Sequence, residues 1–320
     1  MKRGFPEPFR IGVRGEHRRR STGEGAAPAE DRSAASVQGS RETEAVACVE
    51  TKRRLPLALP MKNATAFVTG ASRGLGKAIV SALVKAGFSD IIAISRSSNR
   101  STEETKGESG GNIEWVSADL ASESAARETL VPVFQRYNAN SRDPIVLINN
   151  AGIIEPIGPL GTVDSDSIER NLHVNLTAPA LLCNEFLRVF ADTESRRVII
   201  NVTSGLAKRT MTGVASYSTS KAGLDMLTAA IATEQTERAA GSRGSAPAVE
   251  AYGVSPGTVA TDMQKTLRAS SESDLPARSK FVALFEQGEL YTPEYSSNKI
   301  VNLVLNPGVN SGSVVHVRDL

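Results

Sequence analysis

Residues 64–76 read Ala-Thr-Ala-Phe-Val-Thr-Gly-Ala-Ser-Arg-Gly-Leu-Gly, and this stretch decides the fold. The β-branched and aromatic run 64–69 predicts a strand. The glycines at 70, 74 and 76 predict a tight turn, and the Ala/Ile/Leu pattern over 75–87 predicts a helix. A strand running through a glycine turn into a helix is the opening of a dinucleotide-binding βαβ unit. Its glycines let the backbone approach a pyrophosphate, and the helix N-terminus offers free N–H groups to that anion. Gly70, Ser72, Arg73, Gly74, Leu75 and Gly76 are therefore the candidate cradle.

Downstream, short apolar runs alternate with longer helical stretches. Strands are expected at 64–69, 91–95, 113–117, 145–149, 197–203, 249–254 and 313–317, and helices near 75–87, 122–138, 165–190, 214–237 and 293–305. Such alternation implies right-handed crossovers and a parallel sheet with helices on both faces. The fold class is thus α/β, a doubly wound parallel sheet of Rossmann type in a single domain, 61–320. The segment 261–290 reads as irregular and as a candidate lid.

Residues 1–60 differ from the rest. They hold 12 Lys+Arg against 8 Asp+Glu, leaving 25 against 27 in the remainder, although the whole 320-residue chain carries only +2. With no sustained apolar period this segment is expected to be disordered. Seven Lys+Arg in its first twenty residues suggest a mitochondrial presequence, but Pro6 and Pro8 spoil an amphipathic helix, and the alternative is a non-functional tail. Met61, just before the first strand, is a possible start of translation.

The slightly acidic globular part argues against a nucleic-acid surface. Cys48 and Cys183 stand alone, which points to a reducing compartment, the cytoplasm by default. His17, His173 and His316 are not spaced as metal ligands. No apolar run reaches membrane-spanning length.

Charge then bears on the nucleotide. After the second strand comes Ser95-Arg96-Ser97, with no acid to hold ribose hydroxyls. Arg96, with Arg73, would instead pair with a 2′-phosphate, which favours NADP (NADPH) over NAD. Asp119-Leu120 follow the third strand, where Asp119 can contact adenine or equally cap a helix from Ser122. Asn149-Asn150-Ala151-Gly152 close the fourth strand at the ligand-binding edge of the sheet, making Asn149, Ala151 and Gly152 candidate cofactor contacts.

Tyr217 and Lys221 fall at i and i+4 of a predicted helix, hence on one face. A free phenol titrates near ~10 and is a slow acid at neutral pH. An ammonium about 5 Å away, at an effective dielectric of ~20, is worth roughly 3 kcal/mol, or about two pKa units. The phenol is therefore expected to be depressed towards useful acidity. Ser204, at the end of the fifth strand, has a hydroxyl that could bond a substrate oxygen; as plain structure it would be a cap. Asn175 sits inside a long predicted helix, where Asn is a mediocre former.

These motifs, with Ser255-Pro-Gly-Thr-Val-Ala-Thr-Asp-Met263, resemble the short-chain dehydrogenase/reductase family in content, order and spacing over about 61–317. The resemblance implies that Tyr217 protonates a carbonyl oxygen as hydride arrives from the nicotinamide, and that Ser204 polarises that oxygen. It implies that Lys221 bonds the nicotinamide ribose and that Asn175 holds a relay water. Pro256, Gly257, Val259 and Thr261 would flank the nicotinamide. It further implies a homodimer or homotetramer, commonly paired through the two long central helices.

Gly152-Ile-Ile-Glu-Pro156, Thr261-Asp-Met-Gln264 and Gly312-Ser-Val-Val315 look like the sepiapterin reductase/benzil reductase branch, which reduces dicarbonyls and pterin side-chain ketones with NADPH. Sepiapterin reductases anchor the pterin with an acid near the last strand. Here that place holds His316, with Asp319 three residues later, so a benzil-type diketone fits better than a pterin. Other readings are a 3-oxoacyl-thioester reductase, an alcohol dehydrogenase, and a non-catalytic NADP(H) sensor.

Overall fold

The computed structural model describes residues 61, 63–96, 111–122, 124, 126–138, 143–241 and 249–320, all within one compact unit, 54–320. The expectations for residues 1–60, Cys48 included, lie outside the described residues.

Seven parallel strands form one sheet: β1 (Thr65–Thr69), β2 (Asp90–Ser95), β3 (Asn112–Ser117), β4 (Ile145–Asn149), β5 (Arg197–Val202), β6 (Glu250–Ser255) and β7 (Val314–His316). Their order is β3-β2-β1-β4-β5-β6-β7. The chain winds outward from β1 in one direction and from β4 in the other. This reversal leaves a crevice at the carboxyl ends of β1 and β4, the place where open α/β sheets bind ligands.

Alternation along the strands feeds two cores. Ala66 and Val68 of β1 pack with helices α1 (Gly74–Lys85) and α8 (Pro293–Leu305) on one face. Phe67 points the other way, against α2 (Val131–Asn138) and α4 (Ala178–Val189), and meets the Phe134 ring edge-on at 4.8 Å. Since both sheet faces are covered, β1, β4 and β5 are buried at every residue, which is why they read as apolar runs rather than alternating ones.

Three expectations are corrected. The helix expected from 122 begins with a π-type turn at Ala126–Leu130 before α2. The helix expected over 165–190 is interrupted: α3 (Ser165–Leu172) passes through a π-type turn, His173–Thr177, into α4. The segment taken as irregular folds into two helices, α6 (Asp262–Ala269) and α7 (Arg278–Glu286). The long α5 (Ala215–Gly241) carries Tyr217 and Lys221 in its first turns. Among the described residues no helix is long and apolar enough to cross a membrane, and no cluster of three or more His, Cys, Asp or Glu could hold a metal.

Candidate active site

The glycine turn is a backbone cradle. Gly70 and Gly74 adopt φ of 66° and 52°, the left-handed region that side chains disfavour. A Cβ on Gly70 would lie 2.9 Å from the Ala151 Cα. Arg73 precedes α1 without a side-chain cap, and no acid occupies the first helical turn. The helix N-terminus, uncapped by the Arg73 side chain, therefore presents backbone donors beside a turn that Cβ atoms would crowd, and the residues fit a pyrophosphate.

Asn150, a residue without an expected role, braces this cradle. Its Nδ2 donates to the carbonyls of Thr69 (2.9 Å) and Gly70 (3.3 Å). The N–H groups of Asn150 and Ala151 both donate to Thr69 Oγ1 at 3.0 Å. Asn149 turns the other way. Its amide is buried beneath the edge, donating to Asn201 Oδ1 at 2.9 Å, so the side chain links β4 to β5 and only the backbone faces the crevice.

Arg96 stands one residue past β2, exposed, its carbonyl tied to β3 by Ser117 Oγ at 3.2 Å. Arg73 carries a second engagement. Its Nη1 donates to Asp262 Oδ2 at 2.9 Å, linking the glycine turn to the start of α6. Because that pair is well exposed it contributes little stability, and it leaves further guanidinium donors. Asp119 closes a turn by accepting from the Ala121 N–H at 3.1 Å, and Leu120 beside it is buried.

At the centre of the edge, Tyr217, Lys221, Ser204 and Asn175 come together. Lys221 is buried, its Nζ donating to the Val202 carbonyl at 2.8 Å and lying 5.9 Å from the Tyr217 ring centroid. Ser204 caps the short turn that follows β5. Its Oγ accepts from the Leu206 N–H at 3.2 Å, and its hydroxyl lies near enough to the Tyr217 phenol to pull that group's pKa down. Gly152 supplies the clearance: a Cβ there would stand 3.2 Å from Asn175 Oδ1 and 3.6 Å from Lys221 Nζ.

Asn175 sits fully buried in the π-type turn. Its Oδ1 accepts from the Ile153 N–H (2.9 Å), and its Nδ2 donates to Ile153 O (2.8 Å), Asn171 Oδ1 (3.1 Å) and Ser220 Oγ (3.2 Å). The side chain thus clamps the loop after β4 to α5.

The electrostatics differ from the sequence expectation. Burial pushes the Tyr217 phenol up, with the Ser204 hydroxyl pulling it back, so the expected depression by Lys221 is not what this site displays. The cause is desolvation of both partners. Burial also lowers Lys221, to about 8, so its ammonium is itself held weakly. Asp225, one turn beyond Lys221, opposes that loss by attraction. It extends the row Tyr217, Lys221, Asp225, an i, i+4, i+8 spacing that the sequence itself carries.

After β6 the chain crosses above this cluster. Gly257, at φ 78°, packs so closely that a Cβ would lie 2.2 Å from the Tyr291 ring and 3.5 Å from His316. Pro256 accepts from Ser296 Oγ at 2.8 Å, and Val259 bridges to Tyr291. Thr261 reaches the cradle, 3.3 Å from where a Gly74 Cβ would be. Beyond it, Leu267, Leu275 and Phe281 join Ile154, Val214 and Tyr217 in an apolar cluster, flanked by Ile157, Leu206, Met211 and Met263.

A glycine cradle at the switch point, a buried Tyr–Lys pair with Ser204 beside it and an apolar cluster around the phenol define a dinucleotide-dependent oxidoreductase of small molecules. Residues 64–272 match the family model for short chain dehydrogenases. The chain belongs to that family, whose members act on CH–OH and C=O groups. It is 30% identical over 253 residues to the Bacillus cereus benzil reductase ((S)-benzoin forming), covering 79% of this chain and 98% of the relative. It is also 30% identical to the sepiapterin reductase of Meriones unguiculatus, over 80% and 97% of the two chains. A solved structure from Beutenbergia cavernae, described as an NAD(P)-dependent gluconate 5-dehydrogenase with bound NADP at low occupancy, superposes with a TM-score of 0.63. It is 30% identical, over 82% of this chain and 97% of its own.

Proposed function

We propose that this chain is an NADPH-dependent carbonyl reductase that converts a benzil-type diketone to the hydroxyketone, with Tyr217 as the proton donor. The observation that carries the reading is the apolar cluster enclosing Tyr217, which suits a substrate with hydrocarbon or aromatic flanks better than a polar pterin. His316, where sepiapterin reductases carry an acid, supports the same choice.

When bound, the nicotinamide supplies the hydride that adds to the carbonyl carbon. Ser204 donates to the carbonyl oxygen and orients it. The phenolic proton of Tyr217 passes to that oxygen as negative charge develops there, and the Lys221 ammonium stabilises the phenolate left behind. Lys221 also bonds the nicotinamide ribose, and a water near Asn175 returns the proton. Gly70, Ser72, Arg73, Gly74, Leu75 and Gly76 cradle the pyrophosphate. Asp119, Leu120 and the backbone at Asn149, Ala151 and Gly152 line the adenosine and ribose side, while Pro256, Gly257, Val259 and Thr261 hold the nicotinamide. The protein works in the cytoplasm, as a dimer or tetramer; Met226, 70% exposed on α5, suits such a contact.

Initial rates with NADPH and NADH across benzil, sepiapterin and a 3-oxoacyl thioester test the reading. The highest kcat/KM is expected for benzil with NADPH. A thioester or pterin optimum would replace the diketone, and NADPH binding without turnover of any carbonyl would make the chain a sensor.

Arg96 carries the NADPH preference. Arg96→Asp exchanges a partner of the 2′-phosphate for a group that repels it and accepts from a free 2′-hydroxyl. The NADPH/NADH ratio of kcat/KM is expected to fall by ~10²-fold or more, the loss of a charged hydrogen bond plus a repulsion. An unchanged ratio would assign the phosphate to other residues.

A further inference from the structure

Gln264, the last residue of the Thr-Asp-Met-Gln stretch, has no part in the chemistry above, yet its setting is unusual. It is 3% exposed, and its Nε2 has no hydrogen-bond partner among the described residues. Its Oε1 accepts from Arg268 Nη1 at 3.2 Å, one turn along α6. A guanidinium can only donate, so this bond fixes the amide: the oxygen faces Arg268, and the NH₂ faces the opposite way. Arg268 is held in turn. Its Cζ lies 3.9 Å above the Phe285 ring, and its carbonyl accepts from Arg278 Nε at 2.7 Å.

The face on which Gln264 sits is set by Leu267, three residues on and in the cluster with Tyr217, Ile154 and Phe281. Met263 packs against the same cluster. Apart from Tyr217, the residues of that cluster carry no N–H or O–H donor in their side chains. An amide that is buried, oriented and unpaired is destabilising for the fold, and a bound acceptor is one way in which that cost is offset. A monoketone has one oxygen, which Tyr217 and Ser204 take. A vicinal dicarbonyl brings a second.

We propose that Gln264 Nε2 is the donor for the substrate's second oxygen, making Gln264 the residue that selects 1,2-dicarbonyls over monoketones. The inference rests on the diketone reading above. Gln264 does not act on the reacting carbonyl; it fixes which carbonyl of the pair is presented to Tyr217 and holds the other in place.

The test uses the full-length protein with saturating NADPH and two substrates of the same shape, benzil and deoxybenzoin, the second having one carbonyl. Intrinsic reactivity differs between them, so each variant is compared with wild type on each substrate. Gln264→Met is expected to lower kcat/KM for benzil by ~10–100-fold and for deoxybenzoin by no more than ~3-fold. Gln264→Glu keeps the shape and the bond to Arg268 but faces the carbonyl with an acceptor. It should lower benzil at least as far, and it serves if the methionine variant does not fold; the deoxybenzoin rate reports folding in both. Equal losses on the two substrates, or benzil reduction unaffected, would overturn the inference. So would a raised KM for NADPH, measured by varying NADPH at fixed benzil, with substrate selectivity kept; that result would assign the donor to the nicotinamide side. A wild type that reduces deoxybenzoin but not benzil removes the diketone reading itself. A wild type whose benzil preference survives in Gln264→Met removes the Gln264 role alone.

Discussion

Tyr217→Phe is expected to reduce turnover of any ketone by ~10³-fold or more, the range set by losing a positioned general acid and a donor to the developing alkoxide together. Folding should survive. The phenylalanine ring fills the same place in the apolar cluster, and Ser204 Oγ keeps its bond from the Leu206 N–H. NADPH affinity should stay within a few-fold of wild type, since the cradle at Gly70–Gly76 does not depend on the phenol. Steady-state NADPH oxidation and a titration of cofactor binding measure both halves. A rate near wild type would take Tyr217 out of the mechanism, and a lost affinity would make it a cofactor residue.

The pH profile of the wild type follows from the same pair. Burial keeps the phenol protonated across the physiological range, so the tyrosine itself does not titrate there. Lys221, lowered to about 8, does. Below that value the ammonium is present to stabilise the phenolate left by proton transfer; above it the charge is gone. For carbonyl reduction, kcat/KM should therefore be level at lower pH and fall as pH rises through about 8. Lys221→Met should be slow at every pH and lack this limb. A decline that begins only above the ordinary phenol range would mean that Asp225 and the bound state hold Lys221 charged.

The strands could be read in sequence because their burial on both faces leaves uninterrupted apolar runs such as Ile145–Asn149, whose bounds match the expectation. The Tyr217–Lys221 row was legible for a different reason: two residues at i and i+4 share a helix face whatever the tertiary structure. What escaped depended on contacts between distant segments. In α6, Met263 and Leu267 are the apolar anchors and the third inward residue is Gln264, so only two apolar side chains mark the buried face of this short helix. The π-type turn at His173–Thr177 leaves no mark on composition; it becomes intelligible once Asn175 is seen bonding Ile153 and Ser220. Asn149 looked like an edge ligand because its partner, Asn201, is 52 residues away on the neighbouring strand. The phenol's acidity was misjudged because a pairwise Coulomb argument omits the desolvation of both charges, a quantity fixed by packing.

Gly76→Ala supplies the second large effect, and its sign opposes the general rule. In an ordinary helix interior, replacing glycine by alanine is worth up to ~1 kcal/mol of added stability. Gly76 lies in the first turn of α1, where a Cβ would fall 2.0 Å from the Gly70 carbonyl oxygen and 2.7 Å from Asn150 Nδ2. The first of these is backbone and cannot rotate away, so the methyl must push the turn open. Overpacking of this kind costs about 1–3 kcal/mol or more, enough to outweigh the propensity gain. Function should suffer further than stability. Gly70 O is held by Asn150, whose neighbours Asn150 N and Ala151 N share Thr69 Oγ1, so displacing it disturbs the pyrophosphate cradle and the loop leading to Gly152 together. NADPH affinity is expected to fall by ~10²-fold or more, because a misplaced backbone donor loses its hydrogen bond to the phosphate. Gly308→Ala is the matched control: nothing lies within 4 Å of its added methyl, and it should leave both melting temperature and NADPH affinity where they are. If Gly76→Ala binds NADPH as wild type does and melts no lower, the close approach of helix and turn is not what creates the nucleotide site.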